Sequence, residues 1–132
     1  MRFMIIVKAS TETEAEALMG DTALMAEMSA FNEQLQQAGA LLDANGLKPS
    51  REGWRIRYGT DAAGKTTRQQ LDGPFAETKE LIAGYTLIQV RSREEAMEWA
   101  RRFPPPMGRG RAAEIEVRPL YELDDFPRAA AG

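Results

Sequence analysis

The residues of this sequence best suited to chemistry lie together in one nine-residue stretch between two predicted strands. Asp72, Glu77 and Glu80 supply carboxylates there, and Lys79 supplies an ammonium group. A carboxylate beside an ammonium group stays ionised, whereas a carboxylate in a half-buried cleft can have a raised pKa and act as a base. The stretch is therefore the candidate site, and it reads Asp72-Gly73-Pro74-Phe75-Ala76-Glu77-Thr78-Lys79-Glu80.

The same stretch has a purely structural interpretation. Gly73-Pro74 fixes a backbone angle just after a strand, and an aspartate such as Asp72 often caps a turn by hydrogen bonding to its own backbone. If the residues after the turn are extended, Glu77 and Lys79 point to the same side of the chain. The residues alone leave both interpretations open, a turn or a site.

Two residues outside the stretch, Arg118 and Tyr85, also have side chains that could contact a ligand. Arg118 follows Glu116 on the last predicted strand, so it either forms a cross-strand ion pair or anchors a negatively charged ligand. Tyr85 offers a phenol, but an aromatic side chain in an inner strand more often belongs to the core. We take Arg118 as a candidate ligand contact and Tyr85 as core.

Composition excludes several kinds of site and partner. The 132 residues include no histidine and no cysteine, so we expect no disulfide, no thiol nucleophile, no metal site and no cofactor. A net charge of −3 gives no electrostatic footprint for nucleic acid. The apolar run at residues 3–7 is too short for a signal peptide or a membrane span. We therefore expect a cytoplasmic protein without nucleic-acid or membrane partners.

The first elements are a strand and a helix. Phe3–Val7 is continuously apolar, which is typical of a central strand. Asp21 is a suitable N-cap for a helix with an apolar stripe over residues 24–38, and Gly39 is a suitable stop. Residues 10–20 are polar and small and predict no regular element.

The middle of the chain predicts strands and turns. Residues 40–43 indicate a short strand, after which Asn45-Gly46 favours a hairpin, although the chain can also continue as a bent edge strand. Residues 54–58 alternate apolar with basic side chains, as in a strand with one wet face. With residues 66–71 they predict a β-hairpin that leads into Asp72.

The second half repeats the strand and helix pattern. Leu81–Val90 is the longest apolar, β-branched run and predicts an inner strand. Ser92 and Glu95 form a predicted capping box at the start of a helix that ends before Pro104. Residues 114–120 alternate strictly and predict the last strand.

This order of elements predicts an α+β fold. Two βαβ halves with right-handed crossovers give a ferredoxin-like βαββαβ sheet, here with an inserted β-hairpin and with both helices on one face. The other face stays uncovered, so face-to-face pairing of two sheets is expected. Residues 1–121 are predicted to form one domain, and residues 122–132 a tail that is partly disordered or packs on a partner.

At the nine-residue stretch the sequence resembles the DGPF-domain proteins, a branch of the YCII-related family. The resemblance covers residues 1–121 and extends to Phe3-Met4-Ile5-Ile6-Val7, Gly84-Tyr85, Ala96-Met97-Glu98-Trp99-Ala100 and Glu116-Val117-Arg118-Pro119-Leu120. It implies a dimeric α/β barrel, in which two ferredoxin-like sheets close on each other and leave a pocket near the motif in each subunit.

The resemblance implies little about activity. Most family members are uncharacterised, and some are encoded beside sigma factors of the extracytoplasmic-function class. A few YCII-like relatives resemble dehydrochlorinases with a proposed His–Asp pair. This chain has no histidine, so only the aspartate has a counterpart, Asp72.

Two functional hypotheses follow. In the first, a homodimer binds a small polar or aromatic metabolite beside the DGPF motif. If the protein also transforms this metabolite, Asp72 is the catalytic acid or base. Its ligand-binding residues are then Gly73, Pro74, Phe75, Glu77, Lys79 and Arg118. In the second, the protein is a non-catalytic dimeric sensor or an accessory module of sigma-factor-type regulation, and the motif stabilises the fold.

Overall fold

The computed structural model describes residues 1–127, which form two antiparallel sheets and three α-helices. The strands are β1 (Arg2–Lys8), β2 (Leu41–Gly46), β3 (Trp54–Thr60), β4 (Thr66–Asp72), β5 (Ile82–Gln89) and β6 (Ile115–Pro119). The helices are α1 (Thr11–Glu14), α2 (Thr22–Gln37) and α3 (Arg93–Arg101), with 3₁₀ turns at Ser50–Glu52, Thr78–Glu80 and Leu123–Asp125.

The main sheet has the strand order β2-β5-β1-β6, and β3 and β4 form a separate hairpin. Every neighbouring pair in the main sheet is antiparallel. The inner strands β1 and β5 are the two most apolar runs of the chain, because inner strands contact neighbours on both sides. The arrangement is compatible with the predicted α+β ferredoxin-like fold and its inserted hairpin.

The core lies between one face of this sheet and the helices α2 and α3. Alternate strand residues such as Phe3, Ile5 and Ile88 are buried on that face. They pack in one cluster with Phe31 of α2 and Trp99 of α3. The ring of Phe31 meets that of Trp99 edge-on, with 6.0 Å between the centroids.

The opposite face of the sheet, here called the open face, presents the intervening residues. One row across the four strands consists of Asp43, Leu87, Met4 and Arg118, and the next consists of Asn45, Tyr85, Ile6 and Glu116. Tyr85, expected in the core, is half-buried on this face and donates a hydrogen bond to Asp43 at 2.8 Å. The open face is therefore apolar along its middle strands and polar at both edges.

The predicted helix starts are found, with one adjustment. The carboxylate of Asp21 accepts a hydrogen bond from the Leu24 amide at 2.9 Å, as expected of an N-cap. Ser92 likewise accepts from the amide of Glu95. The Glu95 carboxylate, however, accepts from the amide of Arg91 instead of Ser92, so the capping box is displaced by one residue.

At Asn45-Gly46 the structure confirms the edge-strand alternative over the hairpin turn, and residues 11–14 form a helix that the sequence pattern did not predict. Asn45-Gly46 is not a hairpin turn but the end of β2, where the two residues pair with Tyr85 and Gly84 of β5. Pairing along the edge of a sheet outweighs the local turn preference here. Residues 11–14, expected to be irregular, form α1, in which Ser10 and Thr13 cap each other.

The β3–β4 hairpin forms as predicted, but both faces of β3 are largely exposed instead of one wet and one dry. Trp54 and Tyr58 are 63% and 64% exposed. Arg55, expected on the wet face, is half-buried and its guanidinium lies 3.8 Å from the ring centre of Phe75. The hairpin stands outside the main sheet, so its apolar alternation does not face the core.

After β6 the chain returns to the start of β1. Arg2 forms a salt bridge with Glu122 at 3.0 Å, which fixes the beginning of the predicted tail. The part of that tail at residues 128–132 lies outside the described residues. Within residues 1–127, no helix combines the length and the apolar character needed to cross a membrane.

Candidate functional site

The DGPF loop, residues 72–75, packs against the 3₁₀ turn that begins at Ser50. The Gly73 amide donates a hydrogen bond to the carbonyl of Gly53 at 3.0 Å. A Cβ atom on Gly73 would lie 1.8 Å from the carbonyl oxygen of Ser50, so only glycine fits. The following bond to Pro74 is cis. The loop is thus a tightly packed junction between β4 and the turn.

Ser50 links this loop to α1. Its hydroxyl accepts a hydrogen bond from the Phe75 amide at 3.1 Å and donates one to the Glu14 carboxylate at 2.6 Å. The Ser50 amide donates to the same carboxylate. We call Glu14, Ser50 and Phe75 the latch, because they join the DGPF loop, the turn and α1.

Asp72, the candidate acid or base, lies at the exposed end of β4. Its carboxylate accepts a hydrogen bond from the side chain of Gln70 at 3.0 Å. Asp72 is not among the residues that line the cavity described below. The Asp72 carboxylate is therefore accessible to solvent.

The extended conformation that would place Glu77 and Lys79 on one side of the chain is not formed. Residues Thr78–Glu80 form a 3₁₀ turn. The Glu80 amide donates a hydrogen bond to the carbonyl of Glu77, and the Leu81 amide donates to that of Thr78, each three positions earlier. Strand alternation does not apply within such a turn. Both side chains are exposed, and Lys79 faces the end of β1, where it lines a depression with Lys8.

Arg118 lies elsewhere, on the β6 edge of the open face. Its guanidinium pairs with Glu116 of the same strand at 3.2 Å, whereas the sequence favoured a pair across strands. It lines a surface depression with Arg2 and Glu122. The structure thus keeps Asp72, Gly73, Pro74 and Phe75 together as one loop, and sets Lys79 and Arg118 in two other depressions.

A cavity of about 340 Å³ lies between the main sheet and α2, and we call it the apolar cavity. Its walls come from β5, the end of β2, α1, α2 and the connector after α3. Among residues 1–127 the lining side chains include no Asp, Glu, Lys or Arg. The apolar part of the wall is Val7, Leu18, Leu24, Met28, Ala44, Ala83, Phe103, Pro106 and Met107.

The lining also includes residues with polar side chains, namely Thr13, Asn32, Asn45, Tyr85 and Thr86. Asn32 of α2 lines the cavity, and its oxygen Oδ1 is buried and accepts no hydrogen bond within residues 1–127. Thr86 of β5 also lines it and is 3% exposed. A buried amide oxygen without a partner costs about 1–3 kcal/mol. Rotation of the amide about its broad χ2 torsion exchanges its oxygen and nitrogen and offers either to the cavity.

The latch touches this cavity indirectly. Thr13, next to Glu14 in α1, lines the cavity wall. The contact between Glu14 and Ser50 therefore fixes the short helix that closes one side of the cavity. In this way the DGPF loop positions part of the wall without contacting the cavity itself.

Sequence reasoning missed Asn32 and Thr86. Asn32 lies four residues after Met28 and three before Leu35, so it is a polar residue within the apolar stripe of α2. Thr86 alternates with Ile88 on the buried face of β5. A polar residue at a buried position of the pattern was the available signal, and only packing distinguishes a cavity wall from a filled core.

Comparison with known proteins identifies the family. The family model of the YCII-related domain matches residues 1–122. The chain belongs to the YCII-related family. This YCII-related protein is also similar to an uncharacterised protein of Rhizobium meliloti (strain 1021), with 34% identity over 120 residues that span 87% of this chain and 89% of the relative.

Proposed function

We propose that this YCII-related protein binds a small, largely apolar molecule in the apolar cavity. The observation on which the proposal depends is a cavity of ligand size with an apolar wall and a buried amide, Asn32, that lacks a hydrogen-bond partner within residues 1–127. Small-molecule sites are typically apolar cavities of about 300–1,000 Å³ with a few placed polar groups. A donor on the ligand supplies the partner that Asn32 lacks.

The lining supports binding over acid–base chemistry within the cavity. A general base must reach the proton that it removes, and no carboxylate lines this cavity among residues 1–127. The sensor hypothesis therefore has the stronger support of the two. Asp72 as an acid or base remains the rival proposal, and it places the ligand at the exposed end of β4.

We also propose that two copies of the chain pair through the open face. Met4, Ile6 and Leu87 form an apolar strip along its middle strands, and uncovered apolar sheet surface in a small protein typically marks an association site. Asp43 and Arg118 lie at opposite edges of one row, so opposite charges can meet across a two-fold axis.

Binding is tested by calorimetry and thermal shift with an uncharged probe, 4-phenylbutan-1-ol. We expect the wild type to bind it and to melt at a higher temperature in its presence, since a ligand of the native state stabilises that state. Ala44→Leu fills the cavity and should abolish binding. Asn32→Leu removes one hydrogen bond and should weaken binding about fivefold.

Two control variants locate the site. Ala26→Leu makes the same change on the exposed side of α2 and should bind as the wild type does. Asp72→Asn should also bind normally, because Asp72 does not line the cavity. Loss of binding in Asp72→Asn together with normal binding in Ala44→Leu would contradict the cavity and support the DGPF loop as the site.

A further inference from the structure

The end of β1 forms a second depression beside the apolar cavity. The Lys8 amide donates a hydrogen bond to the carbonyl of Glu114, and the Ala9 amide donates to that of Leu81, both at 3.1 Å. These bonds hold the end of β1 between the 3₁₀ turn at residues 78–80 and the segment before β6. Lys8 and Lys79 are thereby brought to one depression of about 590 Å³, which we call the lysine depression.

The lysine depression has a local excess of positive charge. Lys8, Lys79 and Glu114 are its ionised residues within the described chain. The salt bridges found among residues 1–127 involve neither lysine. Because the whole protein has a net charge of −3, this positive charge is a local feature and not a consequence of composition.

Met107 separates the lysine depression from the apolar cavity, since its side chain lines both. Met107 is 1% exposed, and its sulfur accepts a hydrogen bond from the hydroxyl of Ser10 at 3.2 Å. A methionine side chain is unbranched and adapts to irregular space more readily than other apolar side chains. Ser10, the hydrogen-bond partner of Met107, also lines the lysine depression.

We propose that the ligand is an apolar acid, and this proposal rests on the proposed function of the apolar cavity. Its uncharged body occupies the apolar cavity and carries one uncharged polar group that hydrogen bonds to Asn32. A change of the Met107 rotamer joins the two spaces, so that the carboxylate lies between Lys8 and Lys79 with the Ser10 hydroxyl as a further donor. Lysine suits this task because its ammonium group is a compact charge on a flexible stem. The uncharged wall and the adjoining lysine pair together select a molecule with one apolar end and one anionic end.

The test compares 4-phenylbutanoate with its uncharged analogue 4-phenylbutan-1-ol by calorimetry at low ionic strength. We expect the wild type to bind the acid at least tenfold more tightly than the alcohol. The double variant Lys8→Gln and Lys79→Gln should lose this preference and keep its affinity for the alcohol. Glu114→Gln should strengthen binding of the acid, because it removes the one negative charge of the depression. Added salt should weaken binding of the acid alone.

Lys65→Gln is the matched control, since Lys65 is an exposed lysine in the turn between β3 and β4. It should leave the preference for the acid unchanged. Equal affinity for acid and alcohol in the wild type, or equal loss in Lys65→Gln and in the double variant, would overturn the anionic-ligand proposal while the cavity proposal stands. Failure of the alcohol to bind while the acid binds normally to Ala44→Leu would instead contradict the cavity.

Discussion

At the scale of single residues, packing explains why glycine is required at position 73 of the DGPF loop. Its alpha hydrogen faces the carbonyl of Ser50 at a distance that leaves no room for a side chain. Ser50 in turn bonds both Phe75 and Glu14. The identity of this glycine is therefore set by packing between the loop and the turn, whatever chemistry Asp72 performs.

Gly73→Ala should lower the free energy of unfolding by about 3 kcal/mol, at the upper end of the usual cost of overpacking. The added Cβ displaces the turn that holds the latch. Urea unfolding followed by circular dichroism measures the effect. Gly20→Ala is the control, because a Cβ there meets no atom within 4 Å, and it should change stability by less than about 0.5 kcal/mol. Equal stability of the two variants would show that the loop relaxes freely.

The environment of Asn32 predicts that replacing it with leucine stabilises the fold but weakens ligand binding. Asn32→Leu should raise the free energy of unfolding by roughly 1 kcal/mol, since it removes a buried polar group whose unpaired state costs about 1–3 kcal/mol. The same variant should bind 4-phenylbutan-1-ol less well. Thr86→Val is the comparison, as it removes a hydroxyl from the same wall. A loss of stability in Asn32→Leu would mean that the amide is satisfied in the folded protein.

At the scale of elements, the segment after β6 is attached to β1 by one ion pair. Glu122 accepts hydrogen bonds from the Arg2 side chain, and this hydrogen bonding is the main cause that lowers the pKa of Glu122 below its ordinary value of 4.5. A carboxylate with a lowered pKa in the folded state stabilises the fold above its unfolded pKa. That contribution is lost as the pH falls through the folded value.

A carbon-detected NMR titration of the Glu122 carboxyl group should therefore give a midpoint below 4.5. Arg2→Gln should move this midpoint upwards, because the guanidinium that favours the ionised form is gone. Arg101→Gln, which removes an arginine paired with Glu98 on α3, should leave the Glu122 midpoint in place. An unchanged midpoint in Arg2→Gln would place the cause of the shift elsewhere.

Local sequence patterns predicted some of the elements correctly and left others undecided. Alternation and apolar runs located β1, β5 and β6, and the N-cap Asp21 located the start of α2, since these signals arise within each element. The sequence left Asn45-Gly46 undecided between a hairpin turn and an edge strand, because its conformation is set by pairing with β5, distant in sequence. The exposure of both faces of β3 escaped the pattern for the same kind of reason, as alternation does not indicate whether a distant segment covers either face.

At the scale of the whole molecule, the helices α2 and α3 pack on one face of the main sheet, where they contribute to the core cluster. The open face is the opposite one. Dimerisation through the open face is the simplest way to cover Met4, Ile6 and Leu87. Light scattering coupled to size exclusion should give twice the chain mass of 14.7 kDa at micromolar concentration.

Leu87→Asp should convert the proposed dimer into a folded monomer, because it introduces a charge at the centre of the apolar strip. Gln36→Asp introduces the same charge on the exposed side of α2 and should remain dimeric. Circular dichroism checks that both variants are folded. A wild type of 14.7 kDa, or a Leu87→Asp variant that stays dimeric, would contradict pairing through this face.

The sequence by itself determined the order of the strands and of α2 and α3, the α+β class and the likeness to the YCII-related family. These follow from periodicity, caps and a local motif, which require no knowledge of distant contacts. Only the tertiary structure decided that Gly73 packs on Ser50, that Lys79 and Lys8 line one depression, and that Asn32 lines a cavity. Each of these depends on which distant segments touch, and on whether side chains fill the space between them, and both are properties of packing in three dimensions.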